Sequence, residues 1–208
     1  MPVCRGAQVS WKGGTVNQTI EYLLERHSAR AYLPEAVEPE KVETILEAGR
    51  AAAHGLSRQP RKFVTITQPE LLAKVSASIR DAFRMMTPTE QMPTVLKQLI
   101  ARAADDDADY LYAAPVFVLV VTHVEDTSAA IDTSLALGNM MIAAQALELG
   151  SCWMNQIPML IKMPSIQSLL RELGISENET VHGTLVLGYP VDASKGPARQ
   201  ASEFISFC

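Results

Sequence analysis

The sequence predicts one domain of the α+β or α/β class, a central sheet flanked by helices. Three observations lead there. Strand-like stretches at 62–67 (KFVTIT), 115–122 (PVFVLVVT) and 181–189 (VHGTLVLGY) are interleaved with segments of helical period. No linker, composition shift or internal repeat divides the chain. Its 208 residues, 48% of them hydrophobic, suffice to bury a substantial core.

The elements follow in order. Residues 1–16 carry Gly6, Gly13 and Gly14 without a period and are expected to be an N-terminal extension, with the domain itself spanning 17–208. From Asn17, the spacing of Ile20, Leu23, Leu24 and His27 predicts a helix ending near Arg26–Ser28. A loop over 31–39 leads to a second helix with Pro39 in its first turn, where a missing N–H costs nothing. Val42, Ile45, Leu46 and Gly49 share one face of it, and Gly49 would let a neighbour approach closely. After the first strand, 68–79 reads as a helix on Leu71, Leu72, Val75 and Ile79. Residues 81–110, with two prolines, three methionines and an acidic run, read as short helices forming a mobile active-site cover. The run at 115–122 is expected to be a buried central strand. Ala129–Leu149 is helical in length and apolar on nearly every face, as befits a helix buried on all sides or at a subunit interface. Ser165–Leu173 forms a further helix, stopped by Gly174, and Glu203–Phe207 alternates like a short last strand.

Bulk chemistry narrows the function. A net charge of −5 argues against a nucleic-acid groove or an anionic membrane surface as main partner. Cys4, Cys152 and Cys208 are too far apart and too few for a zinc site or a disulfide framework, which fits a reducing cytoplasm. The N-terminus lacks the apolar core of a signal peptide, and the run from Pro115 to Val121 is too short to span a bilayer. A soluble, cytoplasmic protein is expected.

Several residues invite a chemical reading. Arg26-His27-Ser28-Ala29-Arg30 gathers two guanidinium groups, a hydroxyl and an imidazole, the converging donors and positive charge that a phosphate monoester needs. On spacing alone, a solvated helix end is the stronger reading. Ser57-Arg58-Gln59-Pro60 offers donors and acceptors suited to the edge of a planar heterocycle, or simply a turn. Lys195 and Arg199 add cations in a loop bearing Gly and Pro, where solvated charge is again the plainer reading. Cys152, beside Trp153, reads as a small buried hydrophobe rather than a nucleophile. Asp126 and Asp132 have no nearby histidine set to make a metal site. Neither GxGxxG after a strand nor GxxxxGK[ST] occurs, so a Rossmann site and a P-loop are both unsupported.

Taken in order, five segments resemble the nitroreductase family of FMN enzymes. Arg26-His27-Ser28-Ala29-Arg30-Ala31-Tyr32 is similar to the family's R-[RH]-S-x-[RK]-x-[FY], and the stretch 53–60 falls where the family shows P-S-x-x-N-x-Q-P before a strand. Leu149-Gly150-Ser151-Cys152-Trp153 resembles G-L-G-S-x-W after a long helix. Gly188-Tyr189-Pro190 matches G-Y-P, and Arg199 resembles the arginine preceding the terminal segment. Each motif is loose; their order carries the resemblance, over about residues 17–207.

The resemblance implies a mostly antiparallel central sheet flanked by helices and a homodimer with an exchanged C-terminal segment and FMN sites at the interface. Arg26, Ser28, Arg30 and Arg199 would hold the phosphate, with Lys195 a secondary candidate and His27 contributing through its backbone. Ser57 and Gln59 would approach the flavin or its ribityl chain. Trp153, Met154 and Asn155 would line the ring or supply backbone donors near its reactive nitrogen. The implied activity is ping-pong transfer of reducing equivalents from NADH or NADPH to nitroaromatics, quinones or similar small acceptors. The cofactor carries the chemistry, so no catalytic side chain is expected. The family's Pro-Ser is Ala53-His54 here, its Asn is Ser57, its Trp after Gln-Pro is Arg61, and Glu148 replaces the first Gly of G-L-G. These departures keep alternatives open: a dehalogenase or flavin-consuming relative, or a non-catalytic flavin-binding dimer.

Overall fold

A computed structural model describes residues 17–55 and 61–192. The extension 1–16, Ser57, Gln59, Lys195, Arg199 and the strand expected at 203–207 lie outside the described residues. The elements run α1 (Gln18–Glu25), α2 (Pro39–Arg50), β1 (Lys62–Ile66), α3 (Pro69–Arg84), α4 (Thr94–Arg102), β2 (Val116–His123), α5 (Ala129–Ala146), β3 (Gly150–Met154), α6 (Gln156–Met159), α7 (Pro164–Glu172) and β4 (Glu179–Gly188). The four described strands form one antiparallel sheet in the order β1-β2-β4-β3.

The sheet is the middle of three layers, and β2 shows why. Its apolar residues face two cores by simple alternation. Phe117, Leu119 and Val121 join a cluster with Val75, Ile79 and Phe83 of α3, Ile100 of α4 and Ile166 of α7. Val116, Val118 and Val120 join another with Val42 and Ile45 of α2 and Leu137 and Met140 of α5. A strand covered on both faces needs no polar alternation, which explains the continuous apolar run. Gly49 permits the α2–α5 contact: a Cβ there would sit 2.7 Å from Met140 Cγ.

Helix α5 buries Ala136, Leu137, Met140 and Ala144, while Ile131 stays 67% exposed on the single chain. The long helix expected to reach Leu149 ends at Ala146 because Glu148 takes a left-handed φ of 62°. Leu149 N then bonds Ala144 O at 2.9 Å and Glu148 N bonds Gln145 O at 3.2 Å. This paired closure is the Schellman arrangement, usually made with glycine. It releases the chain into β3, a strand that the sequence pattern did not reveal.

Residues 81–110, expected to be short helices forming a cover, include the end of α3 and the whole of α4. Helix α3 runs on to Arg84, and Ile100, Ala103, Tyr110 and Leu111 are buried. Among the described residues no helix is long and apolar enough to cross a membrane.

At the far end of the sheet, Glu179 of β4 accepts from Ser176 N (2.9 Å) and Ser176 Oγ (2.8 Å), and Lys62 Nζ of β1 lies 3.1 Å away. The Ser176 hydrogen bonds, helped by Lys62, lower its pKa from 4.5 to about 2. A depressed carboxylate contributes stability above its unfolded pKa and loses it as pH falls through the folded value. Denaturant titrations should therefore show wild type losing a stability component between pH 4.5 and about 2 that Glu179→Gln lacks. Identical acid profiles would refute this assignment.

Candidate functional site

The site is built on β3, at the edge of the sheet. Beyond the α1 C-cap at Arg26, the chain runs extended along this edge: Ala29 N donates to Ser151 O at 3.0 Å, and Ser28 and Ser151 form a parallel bridge. Farther on, Leu33 N bonds Tyr189 O at 2.8 Å and Val191 N bonds Ala31 O at 3.1 Å. Gly150 makes the approach possible, since a Cβ there would lie 2.8 Å from that of Ala29 and 3.0 Å from that of Pro190. Tyr32 is buried and donates to Ala29 O at 2.9 Å; burial drives its pKa far above the ordinary phenol value.

This path brings Arg26, Ser28 and Arg30 around one point, the Cys152 thiol. Burial raises the thiol pKa, while Arg30, a hydrogen bond from Ser28 and Arg26 pull against it. The thiol thus stays protonated, as expected of a small buried hydrophobe. No carboxylate among the described residues pairs with Arg26 or Arg30. Two guanidinium groups with no carboxylate partner among the described residues, beside a hydroxyl, are the kind of groups that can meet an anion.

Beside it, between β3 and α4, lies a cavity of about 330 Å³ lined by Arg30, Trp153, Met154 and Asn155 together with Leu96, Leu99, Tyr112, Gln156 and Met159. The walls are mainly apolar, with polar groups at a few points, the usual make-up of a small-molecule site. Trp153 presents its indole half-exposed. Gln156 is 9% exposed, and its Oε1 has no hydrogen-bond partner among the described residues. A buried carbonyl oxygen without a donor is costly, so this acceptor calls for a water or a ligand donor.

Of the sequence-predicted residues, Arg30, Trp153, Met154 and Asn155 line this cavity, while Ser28 pairs with Ser151 on β3 and Arg26 acts on Cys152 through its charge. His27 does not join them through its side chain. It lines a separate, more polar hollow of about 590 Å³ with Lys41, Glu148 and Pro190. Lys41 is already engaged there by Tyr189 (2.6 Å) and Glu38 (3.3 Å). Sequence reasoning missed Tyr112, Gln156 and the α4 wall. Gln156 sits one residue past the predicted run, whereas nothing in the local pattern marks Tyr112.

Gly55 and Arg61 both bond to the start of α5. Gly55 N donates to the Asp132 carboxylate at 3.1 and 3.2 Å, and Ser128 Oγ donates to it at 2.9 Å. Arg61 donates to Asp132 O at 2.6 Å and Ala52 O at 3.0 Å. Arg61, a departure from the family pattern, therefore ties the end of α2 to the start of α5.

Comparison with known proteins identifies the family. The model of the nitroreductase family matches residues 23–189. The chain belongs to the nitroreductase family. A solved nitroreductase with bound FMN from Bacteroides fragilis superposes with a TM-score of 0.79 at 27% identity, over 90% of this chain and 96% of that one. An FMN-bound nitroreductase from Desulfitobacterium hafniense gives 0.79 at 19% identity, covering 93% and 100%, and supports the fold. A relative from Archaeoglobus fulgidus, provisionally named an NADH dehydrogenase/NAD(P)H nitroreductase, is 28% identical over 85% of this chain and 88% of its own.

Gly150→Val tests the construction of the site. Its side chain must displace Ala29 or Pro190, and overpacking of this kind costs about 1–3 kcal/mol. Urea denaturation should register that loss; unchanged stability would show that the edge segment does not depend on the close approach.

Proposed function

We propose that this chain is an FMN-dependent oxidoreductase that passes reducing equivalents from NADH or NADPH to small planar acceptors of the quinone or nitroaromatic type. The observation that carries this reading is the convergence of Arg26, Ser28 and Arg30, unpaired with any described carboxylate, beside an apolar cavity. The FMN found in the Bacteroides fragilis relative combines a phosphate and a planar ring, and both features find counterparts here.

Arg26 and Arg30 neutralise the phosphate while the Ser28 hydroxyl supplies a further donor. Trp153, Met154 and Asn155 would line the ring or supply backbone donors near its reactive nitrogen. The bound flavin supplies the redox chemistry by accepting and releasing two electrons. Leu96, Leu99 and Met159 supply apolar wall to the cavity, and burial keeps the Cys152 thiol protonated. Within the reading, Lys195 and Arg199 add charge at the phosphate, His27 acts through its backbone, and Ser57 and Gln59 approach the ring or ribityl chain. Reductant and acceptor use the same space in turn, and residues 81–110 cover it.

The functional unit in this reading is a homodimer with exchanged C-terminal segments. Exposed Ile131 and Leu135 on α5, with exposed Ile20 and Leu24 on the neighbouring α1, support it. Apolar patches of this kind mark interfaces.

The Arg26→Ala/Arg30→Ala variant should lose bound FMN while remaining a folded dimer. Charge-assisted contacts contribute about 1.5–3 kcal/mol each, so affinity should fall at least about a hundredfold. Flavin absorbance after gel filtration checks both properties together. Stoichiometric flavin in the variant would reject the phosphate assignment.

A further inference from the structure

Between α4 and β2 the chain makes an unusual turn. Tyr110 and Leu111 enter the core and Ala114 is buried, but Tyr112 and Ala113 between them both adopt a left-handed φ of 60°. Residues bearing a Cβ avoid that region, so two in succession persist only where the surroundings enforce them. Asp109 does the enforcing. Its Oδ1 accepts from Leu111 N at 2.8 Å and from Ser76 Oγ at 3.1 Å, while Oδ2 accepts from Ala113 N. Ser76 Oγ in turn accepts from Tyr110 N at 2.8 Å, tying the turn to α3.

This turn sets Tyr112, half-buried, in the wall of the cavity beside β3 with Arg30, Trp153 and Gln156. Its phenol is close enough to Tyr32 to disfavour ionisation there, an influence shared by Cys152. Apart from Arg30, which the functional reading gives to the phosphate, the cavity combines apolar walls with the polar side chains of Tyr112, Asn155 and the unpartnered Gln156. With Trp153, Met154 and Asn155 on the β3 side given to the flavin ring, the side walled by Leu96, Leu99 and Tyr112 is left for a flat acceptor bearing exocyclic oxygens.

We propose that Tyr112 is a specificity-determining contact for the electron acceptor, its hydroxyl donating a hydrogen bond to a quinone or nitro oxygen, and that Asp109 is the residue that positions it. This inference rests on the functional reading above for the identity of the ligand. Its geometric basis, a left-handed turn locked against a cavity, is independent of the phosphate assignment.

The test uses the full chain as purified and a naphthoquinone as probe. Binding is followed by quenching of tryptophan fluorescence, assigned to Trp153 by comparison with Trp153→Phe, and turnover with NADH is measured in parallel. Tyr112→Phe keeps the ring and removes one hydrogen bond. It should raise the quinone Kd and KM about three- to tenfold, with a smaller effect on kcat. Asp109→Ala should weaken binding similarly. Adding Ala113→Gly, which accepts the left-handed conformation freely, should restore much of the loss. Urea denaturation of the same variants separates the two roles: a raised quinone Kd in Asp109→Ala protein that is still fully folded marks a positioning residue, whereas binding that is normal in the folded fraction marks a merely structural one.

Wild-type quinone affinity in Tyr112→Phe, or absence of quenching in the wild type, overturns the proposal. If the purified protein retains FMN and turns over while Tyr112→Phe binds normally, the inference fails and the functional reading stands. If the protein takes up no FMN but quinone binding still depends on Tyr112, the functional reading fails and the contact stands.

Discussion

The site depends on the pairing of the chain after α1 with the exposed edge of β3. An edge strand presents unpaired N–H and C=O groups, and here part of that edge is occupied by the extended stretch through Ala29. The pairing is what brings Arg26, Ser28 and Arg30 to Cys152 and separates them from His27. It has two structural requirements. The Glu148 closure must end α5 early enough to release β3, and Gly150 must leave room for Ala29 and Pro190. A cationic site is thereby produced mainly by backbone geometry, with few side-chain contacts holding it.

Much of the architecture was legible because burial imposes period. Helices α2, α3 and α7 announce themselves through apolar residues three and four apart, and β1, β2 and β4 through β-branched runs. β3 escaped because five residues at an edge, GSCWM, carry neither a full alternation nor a continuous apolar run. The early end of α5 was hidden for a related reason. Glu148 occupies a left-handed position that sequence patterns associate with glycine.

The same limits apply to the site. Arg26, Ser28 and Arg30 stood out as a charge cluster, yet only their order among other motifs favoured a ligand over a solvated helix end. Trp153, Met154 and Asn155 entered through resemblance, and the structure sets them beside Arg30. Tyr112 was invisible because its role follows from a backbone conformation stabilised by Asp109 and Ser76, residues that look ordinary in sequence. Arg61 shows the reverse: conspicuous as a departure, it is accounted for by two carbonyl contacts that tie the end of α2 to the start of α5.

The account makes the phosphate group, more than the ring, the anchor of the ligand. The most direct measurement is a comparison of FMN with riboflavin, which differ only in that phosphate, by titration of flavin fluorescence against the wild-type apoprotein. With two arginines and a serine contributing charge-assisted hydrogen bonds, FMN should bind at least about a hundredfold more tightly, and the preference should shrink as salt rises. Equal affinities for the two flavins would contradict the assignment of Arg26, Ser28 and Arg30.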